Sequence, residues 1–197
     1  MEIPFKRPEL EDRETILRHF QARKSRGCER TFANIYLWAR FYNLTWAEIL
    51  DTAVFRSEFD GRYSYTYPIG KGDPGAVMEL LLEDSREKGY PFQLHAVSEA
   101  EFQEIESLFP GKFKVEYSRN DADYVYETEK LINLSGKKYH GKKNHLNQFK
   151  ALYPDWSYEP ITDENVEECF QMALRWREFN GCEGDPNKNK GMCVALN

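Results

Sequence analysis

A predicted strand that is joined by a short turn to a capped helix constrains the fold of this chain more than any other feature of its sequence. Residues 63–67 alternate tyrosine with serine or threonine, which is the period-two pattern of a half-buried β-strand. After a short turn, Asp73 suits a helix N-cap and Pro74 suits the first helical position. Apolar residues then recur at helical spacing as far as Gly89. The first half is therefore predicted to pack helices against a sheet.

Further elements are predicted on both sides of that junction. Helical spacing indicates one helix after Pro8 and a second at residues 32–42, which Thr31 caps and which aromatic groups on most sides predict to be buried. Ser98 and Glu101 form a capping box for another helix. Strands are predicted at residues 44–50, 53–59, 63–67, 92–97 and 113–117, of which the first three form a meander. This alternation predicts an α/β or α+β fold.

The turn Gly70-Lys71-Gly72 allows two interpretations. Its backbone amides could cradle an anion, because glycines let a ligand approach the main chain closely. The turn lacks the remainder of a phosphate-loop pattern, however, so a plain connection between strand and helix is favoured.

The composition excludes several classes of function. Lys and Arg total 27 against 33 Asp and Glu, so a net charge of -6 argues against a basic coat for nucleic acid. No export signal and no apolar run of the roughly 20 residues that cross a bilayer is present, so we expect a cytoplasmic protein without an integral membrane segment. The four cysteines are too far apart for a C-x-x-C motif and are expected as free thiols: Cys28, Cys169, Cys182 and Cys193.

The second half concentrates its positive charge in one segment. Residues 131–154 contain no aspartate or glutamate but five lysines, and their apolar spacing predicts an amphipathic helix at residues 138–152. Ser135 is its predicted cap, and the Ser135-Gly136 turn adds amides at the helix start, so we predict an anion site. Its candidate residues are Ser135, Gly136, Lys137, Lys138, His140, Lys142, Lys143, Asn144 and His145. A merely solvated lysine face is the alternative.

Spacing reveals no metal or catalytic constellation. His140 and His145 are five residues apart without a nearby acid, while His19 and His95 lie in unrelated elements. No Ser/His/Asp set can be assembled either. We therefore predict no metal site and leave the catalytic residue unassigned, with His140 and His145 as candidates for a general base.

The last part of the chain continues the alternation. A strand is predicted at residues 155–158, followed by a helix that Thr162 caps, that buries Cys169 on its apolar face, and that ends at Asn180-Gly181. The apolar segment at residues 191–197 has no evident partner, so we expect the natural protein to be longer.

Four segments carry a family resemblance. They are residues 32–38 with 41–42, residues 68–73 (PIGKGD), residues 123–126 (DYVY) and residues 131–149 (LINLSGKKYHGKKNHLNQF). Together they resemble the bacterial family named for the C-terminal domain of phosphatidylglycerol lysyltransferase. That family usually has arginine where Lys143 stands, so the planar fork that grips phosphate at two points is absent here.

The resemblance implies a fold and a chemistry. The implied fold is two tandem acyl-CoA N-acyltransferase (GNAT)-like domains, shared with the Fem peptidyl transferases, with a first domain at residues 1–118 and an incomplete second one at residues 119–197. Such proteins move an acyl or aminoacyl group, so acyl-CoA or aminoacyl-tRNA is the implied donor. The sequence lacks the Arg/Gln-x-x-Gly-x-Gly/Ala pyrophosphate loop of ordinary acetyl-CoA enzymes.

Two functions of different classes follow. In the first, the chain is an acyl- or aminoacyltransferase whose lysines hold a polyanion such as a tRNA acceptor stem, acyl-CoA or an anionic lipid headgroup. In the second, it is a non-catalytic module that docks RNA or an anionic membrane surface.

Overall fold

The chain divides into two compact units in a computed structural model that describes residues 2–23, 25, 27–59 and 61–181. The first unit comprises Met1–Val115 with the segment that begins at Arg175, and the second comprises Glu116–Leu174. The helices are α1 (Arg13–Ala22), α2 (Phe32–Trp38), α3 (Pro74–Lys88), α4 (Glu99–Leu108), α5 (Thr128–Asn133), α6 (His140–Leu152) and α7 (Val166–Phe179). The strands are β1 (Thr45–Ile49), β2 (Thr52–Phe59), β3 (Arg62–Tyr65) and β4 (Ile69–Gly70).

The strands of the first unit form one antiparallel sheet in which β2 is central. β1 and β3 flank β2, and β4 pairs with the start of β2 through Thr52 and Ala53. A two-residue turn, Leu50-Asp51, joins β1 to β2, and both of its residues have positive φ, at 47° and 60°. The predicted meander is confirmed, and the fold is mixed α+β.

Both faces of this sheet are covered. Because successive side chains of a strand point to opposite faces, Phe55 packs on the side of α1 and α2, and Val54 packs on the side of α3. A third cluster joins Tyr67 to Met78 of α3 and Ile105 of α4. The first unit therefore has a core of three clusters.

Two buried carboxylates anchor polar groups around that core. Asp84 accepts hydrogen bonds from the Tyr65 hydroxyl at 2.9 Å, the Tyr90 hydroxyl at 3.1 Å and the Lys88 ammonium at 2.6 Å. Burial alone would raise the pKa of Asp84, but these three donors outweigh it and leave the pKa below its ordinary value. Asp12 is held in the same way, by Lys6 and the Trp46 indole.

Local signals placed the starts of α2, α3 and α4 correctly. The Thr31 hydroxyl accepts from the Asn34 amide, and the Asp73 carboxylate accepts from the Gly75 amide in front of α3. Gly89 ends α3 in the left-handed conformation, with φ 74°. The capping box of Ser98 and Glu101 is present at α4.

Three predicted strands are wrong in the described residues. Residues 92–97 make only an isolated parallel bridge, Tyr65 to Leu94, because Ala96 turns the chain with φ 53°. Residues 113–117 and 155–158 have no strand partner and remain irregular. A strand requires a neighbour to pair with, which its own sequence does not supply.

Smaller corrections concern helix ends and burial. Helix α2 stops at Trp38, and Phe41 and Tyr42 are exposed rather than buried. Helix α7 begins at Val166, four residues after Thr162, so Thr162 is not its cap. Cys28 and Cys169 are free thiols, whereas Cys182, Cys193 and residues 191–197 lie outside the described residues. None of the described helices has the length and apolarity needed to cross a membrane.

Candidate anion-binding site

The candidate site lies in the second unit, at the turn that joins α5 to α6. Helix α5 ends at Asn133, and its C-cap residue Leu134 is left-handed with φ 43° although it is not a glycine. Gly136 follows with φ 90°, a conformation that L side chains rarely adopt. Lys137–Tyr139 then forms a 3-10 turn that leads into α6 at His140, so the predicted helix at residues 138–152 is confirmed almost to the residue.

Ser135 does not cap this helix. The N-cap position of the 3-10 turn is Gly136 and that of α6 is Tyr139, and neither makes a side-chain capping bond. The first amides of a helical segment have no partner within it. At this turn no capping side chain accepts a hydrogen bond from these amides.

All nine candidate residues lie within residues 135–145, and all nine are exposed. Within the described chain, none of the lysine side chains at 137, 138, 142, 143 and 150 makes a hydrogen bond or an ion pair. Because residues 131–154 contain no acid, nothing in that segment neutralises them. We call Lys137, Lys138, Lys142 and Lys143 the lysine cluster.

The position of these charges on the helix is energetically unfavourable in the absence of a ligand. The N-terminus of an α-helix carries a partial positive charge, so acids stabilise it and cations oppose it, by about 0.3–1 kcal/mol each. Helix α6 has no acid in its first turn but has Lys142 and Lys143 near its start. An anion bound there would offset both the dipole and the lysine charges.

An aromatic groove adjoins the other end of α6. Lys142, Leu146 and Phe149 share one helix face at spacings of four and seven, so Phe149 lies about 10 Å along the axis from Lys142. The Phe149 ring lies 5.2 Å from Tyr153 and 6.1 Å from Trp156 between ring centres. The open groove has a volume of about 480 Å³ and is lined by Phe149, Leu152, Tyr153, Pro154, Asp155, Trp156 and Ser157. Sequence reasoning missed it because residues 155–158 were predicted as a strand.

A serine–histidine pair in the first unit was also not predicted from the sequence. Ser64 Oγ lies 2.7 Å from His95 Nδ1. Burial lowers the pKa of His95, and the nearby Glu29 opposes this shift. The imidazole is therefore neutral at neutral pH. The pair is 31 residues apart in the chain, and the bridge between Tyr65 and Leu94 brings it together.

His19 is likewise close to two acids that its sequence position did not suggest. His19, Glu48 and Asp51 each offer one possible metal-ligand atom, and these atoms lie within 4.8 Å of one another. They come from α1, β1 and the β1–β2 turn. Only the packing of α1 on the sheet makes them neighbours.

The turn Gly70-Lys71-Gly72 has a structural role. The Lys71 and Gly72 amides both donate to the Asp51 carbonyl, at 3.1 Å and 3.2 Å, so they are not open to an anion. A Cβ at Gly70 would lie 2.2 Å from the Asp51 carbonyl oxygen, and one at Gly72 would lie 1.8 Å from that of Leu50. The glycines therefore permit close approach to the hairpin, and the plain strand-to-helix turn is confirmed.

Comparison with known proteins points to one family. The sequence profile of the family described as "Phosphatidylglycerol lysyltransferase, C-terminal" matches residues 20–196. Among solved structures, the chain is similar to a conserved protein of unknown function from Bacteroides thetaiotaomicron VPI-5482, at 32% identity and a TM-score of 0.84. That match covers 98% of this chain and 65% of the other, so this chain spans less than two thirds of that relative's length. No curated protein matches the chain.

Proposed function

This chain belongs to the phosphatidylglycerol lysyltransferase C-terminal family, and on that premise we propose that it is an acyl- or aminoacyltransferase that binds a polyanionic donor or acceptor at α6. The observation that carries the proposal is the exposed and unpaired lysine cluster in a segment without acids. The proposal includes a tandem GNAT-like organisation, with domains at residues 1–118 and 119–197, and a cytoplasmic setting, where charged tRNA is found. The mixed α+β fold is compatible with that organisation.

The charge of the site favours a ligand with several phosphates. Four cations within seven residues, at the positive end of a helix, produce a strong local positive potential. This is more charge than a ligand with a single carboxylate would require. A tRNA acceptor stem, acyl-CoA and an anionic phospholipid headgroup all carry suitable phosphate groups. Lysine binds phosphate as a point charge, so the cluster favours charge density over a fixed two-point geometry.

The aromatic groove supports a ligand that combines phosphate with a flat or apolar part. A base can stack on Phe149 or Trp156, and an acyl chain can lie among the same rings. The spacing of about 10 Å between Lys142 and Phe149 allows one ligand to engage both.

Transfer in this scheme depends mainly on positioning. The amine or hydroxyl of the acceptor attacks the carbonyl carbon of the activated acyl group, the bond to the carrier oxygen or sulfur breaks, and the acceptor proton ends on the leaving group. Holding both substrates in one geometry supplies most of the rate. His140 and His145 are the proposed candidates for relaying that proton, because both lie on the segment of the lysine cluster.

A transfer assay with a matched charge control tests the proposal. The chain is incubated with aminoacyl-tRNA and phosphatidylglycerol, and with acyl-CoA and the same lipid. The Lys142→Gln/Lys143→Gln variant should lose most of the transfer, whereas Lys71→Gln/Lys112→Gln, which removes two exposed lysines of the first unit, should not. Equal rates in the two variants would contradict a role for the lysine cluster.

A non-catalytic anion-binding module is the second candidate, and the accessibility of the lysine cluster favours it as well. Binding to RNA or anionic vesicles should then weaken steeply with salt, with a slope of about -0.7 per phosphate contact for a single strand. Salt-dependent binding without transfer from any donor would select this function. If binding is unaffected by salt and by Lys138→Glu/Lys142→Glu, the lysines have no role in binding and form only a solvated face.

A further inference from the structure

A cluster of metal-ligating side chains in the first unit is independent of the proposed transferase site. The Nε2 atom of His19 lies 2.9 Å from Oε1 of Glu48, and a carboxylate oxygen of Asp51 lies within 4.8 Å of the ligand atoms of both. One imidazole and two carboxylates thus converge from three backbone segments.

Each ligand is held by a fixed backbone. His19 lies in the last turn of α1 and is only 2% exposed. Its ring fits against Gly70, where an added Cβ would come within 3.0 Å of Nδ1. Glu48 and Asp51 lie three residues apart at the end of the hairpin, and the Asp51 carbonyl is fixed by two amide donors from the segment after β4. The cluster is therefore preorganised, which lowers the entropic cost of chelation.

The charges of the cluster are incompletely compensated. Arg18 donates to Oε1 of Glu48 at 2.8 Å, from a side chain that is 58% exposed. The Asp51 carboxylate makes no hydrogen bond or ion pair to any residue that the structure describes, although it lies close to the Glu48 carboxylate. Two carboxylates at this separation repel one another. A cation between them would relieve that repulsion.

We propose that His19, Glu48 and Asp51 bind a divalent transition-metal ion. Imidazole nitrogen with carboxylate oxygens suits Mn²⁺, Fe²⁺, Co²⁺ and Zn²⁺. Both carboxylates are exposed, so three protein ligands leave coordination positions that water or a substrate oxygen can occupy. To bind the metal, Glu48 must give up the hydrogen bond that Arg18 donates to it, so Arg18 competes with the ion.

Mn²⁺ is the probe of choice, because its preference for oxygen and nitrogen ligands avoids the cysteines. The full chain is titrated with MnCl₂, and the loss of the free Mn²⁺ electron paramagnetic resonance signal measures binding. Wild type should bind one equivalent in a saturable manner. Asp51→Asn should weaken this binding by about tenfold or more, and asparagine tolerates the left-handed turn, so the fold is kept. Glu48→Gln should act in the same way.

Two controls keep the result specific. Glu79→Gln removes an exposed acid of α3, and His145→Gln removes an exposed imidazole, and neither should change the affinity. Arg18→Gln should tighten binding about threefold or more, because a competing cation is gone. Absence of a saturable site in wild type, equal affinity of Asp51→Asn and Glu79→Gln, or weaker binding in Arg18→Gln would each overturn the proposal. None of these outcomes depends on transferase activity.

Discussion

Large apolar side chains are buried in three clusters in the first unit, whereas in the second unit α5 and α6 bury none of theirs. Polar groups differ in the same way. Asp84 is enclosed and satisfied by three donors, while Lys142 is exposed and has no partner in the described chain. Residues of the first unit are thus constrained by packing, and the charges of α6 remain available to a ligand. This contrast can be tested by matched substitutions in the two units.

The largest expected effect is the loss of a buried phenylalanine. Phe55 is 1% exposed and lies between Phe20 and Trp46, at ring-centre distances of 5.6 Å and 6.4 Å. Phe55→Ala removes these contacts and leaves a cavity, so the free energy of unfolding should fall by about 3–5 kcal/mol. Phe149→Ala, at a residue that is 45% exposed, should cost about 1 kcal/mol or less. Urea denaturation measures both, and equal losses would contradict the contrast.

The next effect concerns the buried carboxylate Asp84, and its sign follows from its lowered pKa. A carboxylate with a folded-state pKa below the unfolded value of 3.8 stabilises the fold fully above that pH. The stabilisation is lost as the pH falls through the folded-state pKa. The free energy of unfolding of wild type should therefore decrease from pH 5 to pH 2.

Asp84→Asn tests the origin of that decrease. The free energy of unfolding of the variant should be about 2 kcal/mol lower at pH 7. The hydrogen bonds to this side chain are then no longer charge-assisted, and the Lys88 ammonium loses its ion-pair partner. Its stability should also depend less steeply on pH between 5 and 2, and part of the remaining dependence comes from Asp12 and Glu104, whose pKa values are also lowered. A variant with the wild-type pH profile would show that Asp84 is not the titrating group.

Features that depend on local geometry were predictable from the sequence. The caps at Thr31, Asp73 and Ser98 depend on side chains that bond to amides two or three residues away. The meander followed from period-two alternation at residues 63–67 and from two strand-like segments before it, although the turn between those two is Leu50-Asp51 and not residues 51–52. The segment of the candidate site was predictable for the same reason, because the lysine cluster is contiguous in the chain.

Features that depend on tertiary contacts were not predictable. His19 and Glu48 are 29 residues apart, and Ser64 and His95 are 31 apart, so no spacing rule connects them. The strand predicted at residues 92–97 failed because its length depends on pairing with Tyr65, which yields one bridge only. The aromatic groove requires residues 154–157 to fold back as an irregular segment, a shape for which the sequence has no periodic signal.

Two glycines in the second unit should respond to alanine with opposite signs. Gly136 has φ 90° and no atom within 4 Å of an added Cβ, so Gly136→Ala costs backbone strain alone, about 1–3 kcal/mol. Gly141 also has open space around it but lies inside α6, so Gly141→Ala should stabilise the helix by about 1 kcal/mol. Amide hydrogen exchange of α6 measures both. Equal responses would show that the turn at Gly136 does not determine where α6 begins.

The smallest expected effect separates the stability of the second unit from its binding. Lys142 lies near the start of α6 and opposes the helix dipole, so Lys142→Gln should increase the protection of α6 amides by about 0.3–1 kcal/mol. Lys150 lies in the last turn, where the dipole favours a cation, so Lys150→Gln should decrease protection by a similar amount. Lys142→Gln should also reduce the salt slope of RNA binding by about 0.7. A variant that gains helix stability and loses binding is the expected result if Lys142 is retained for its ligand, and a loss of both would mean that Lys142 supports the helix instead.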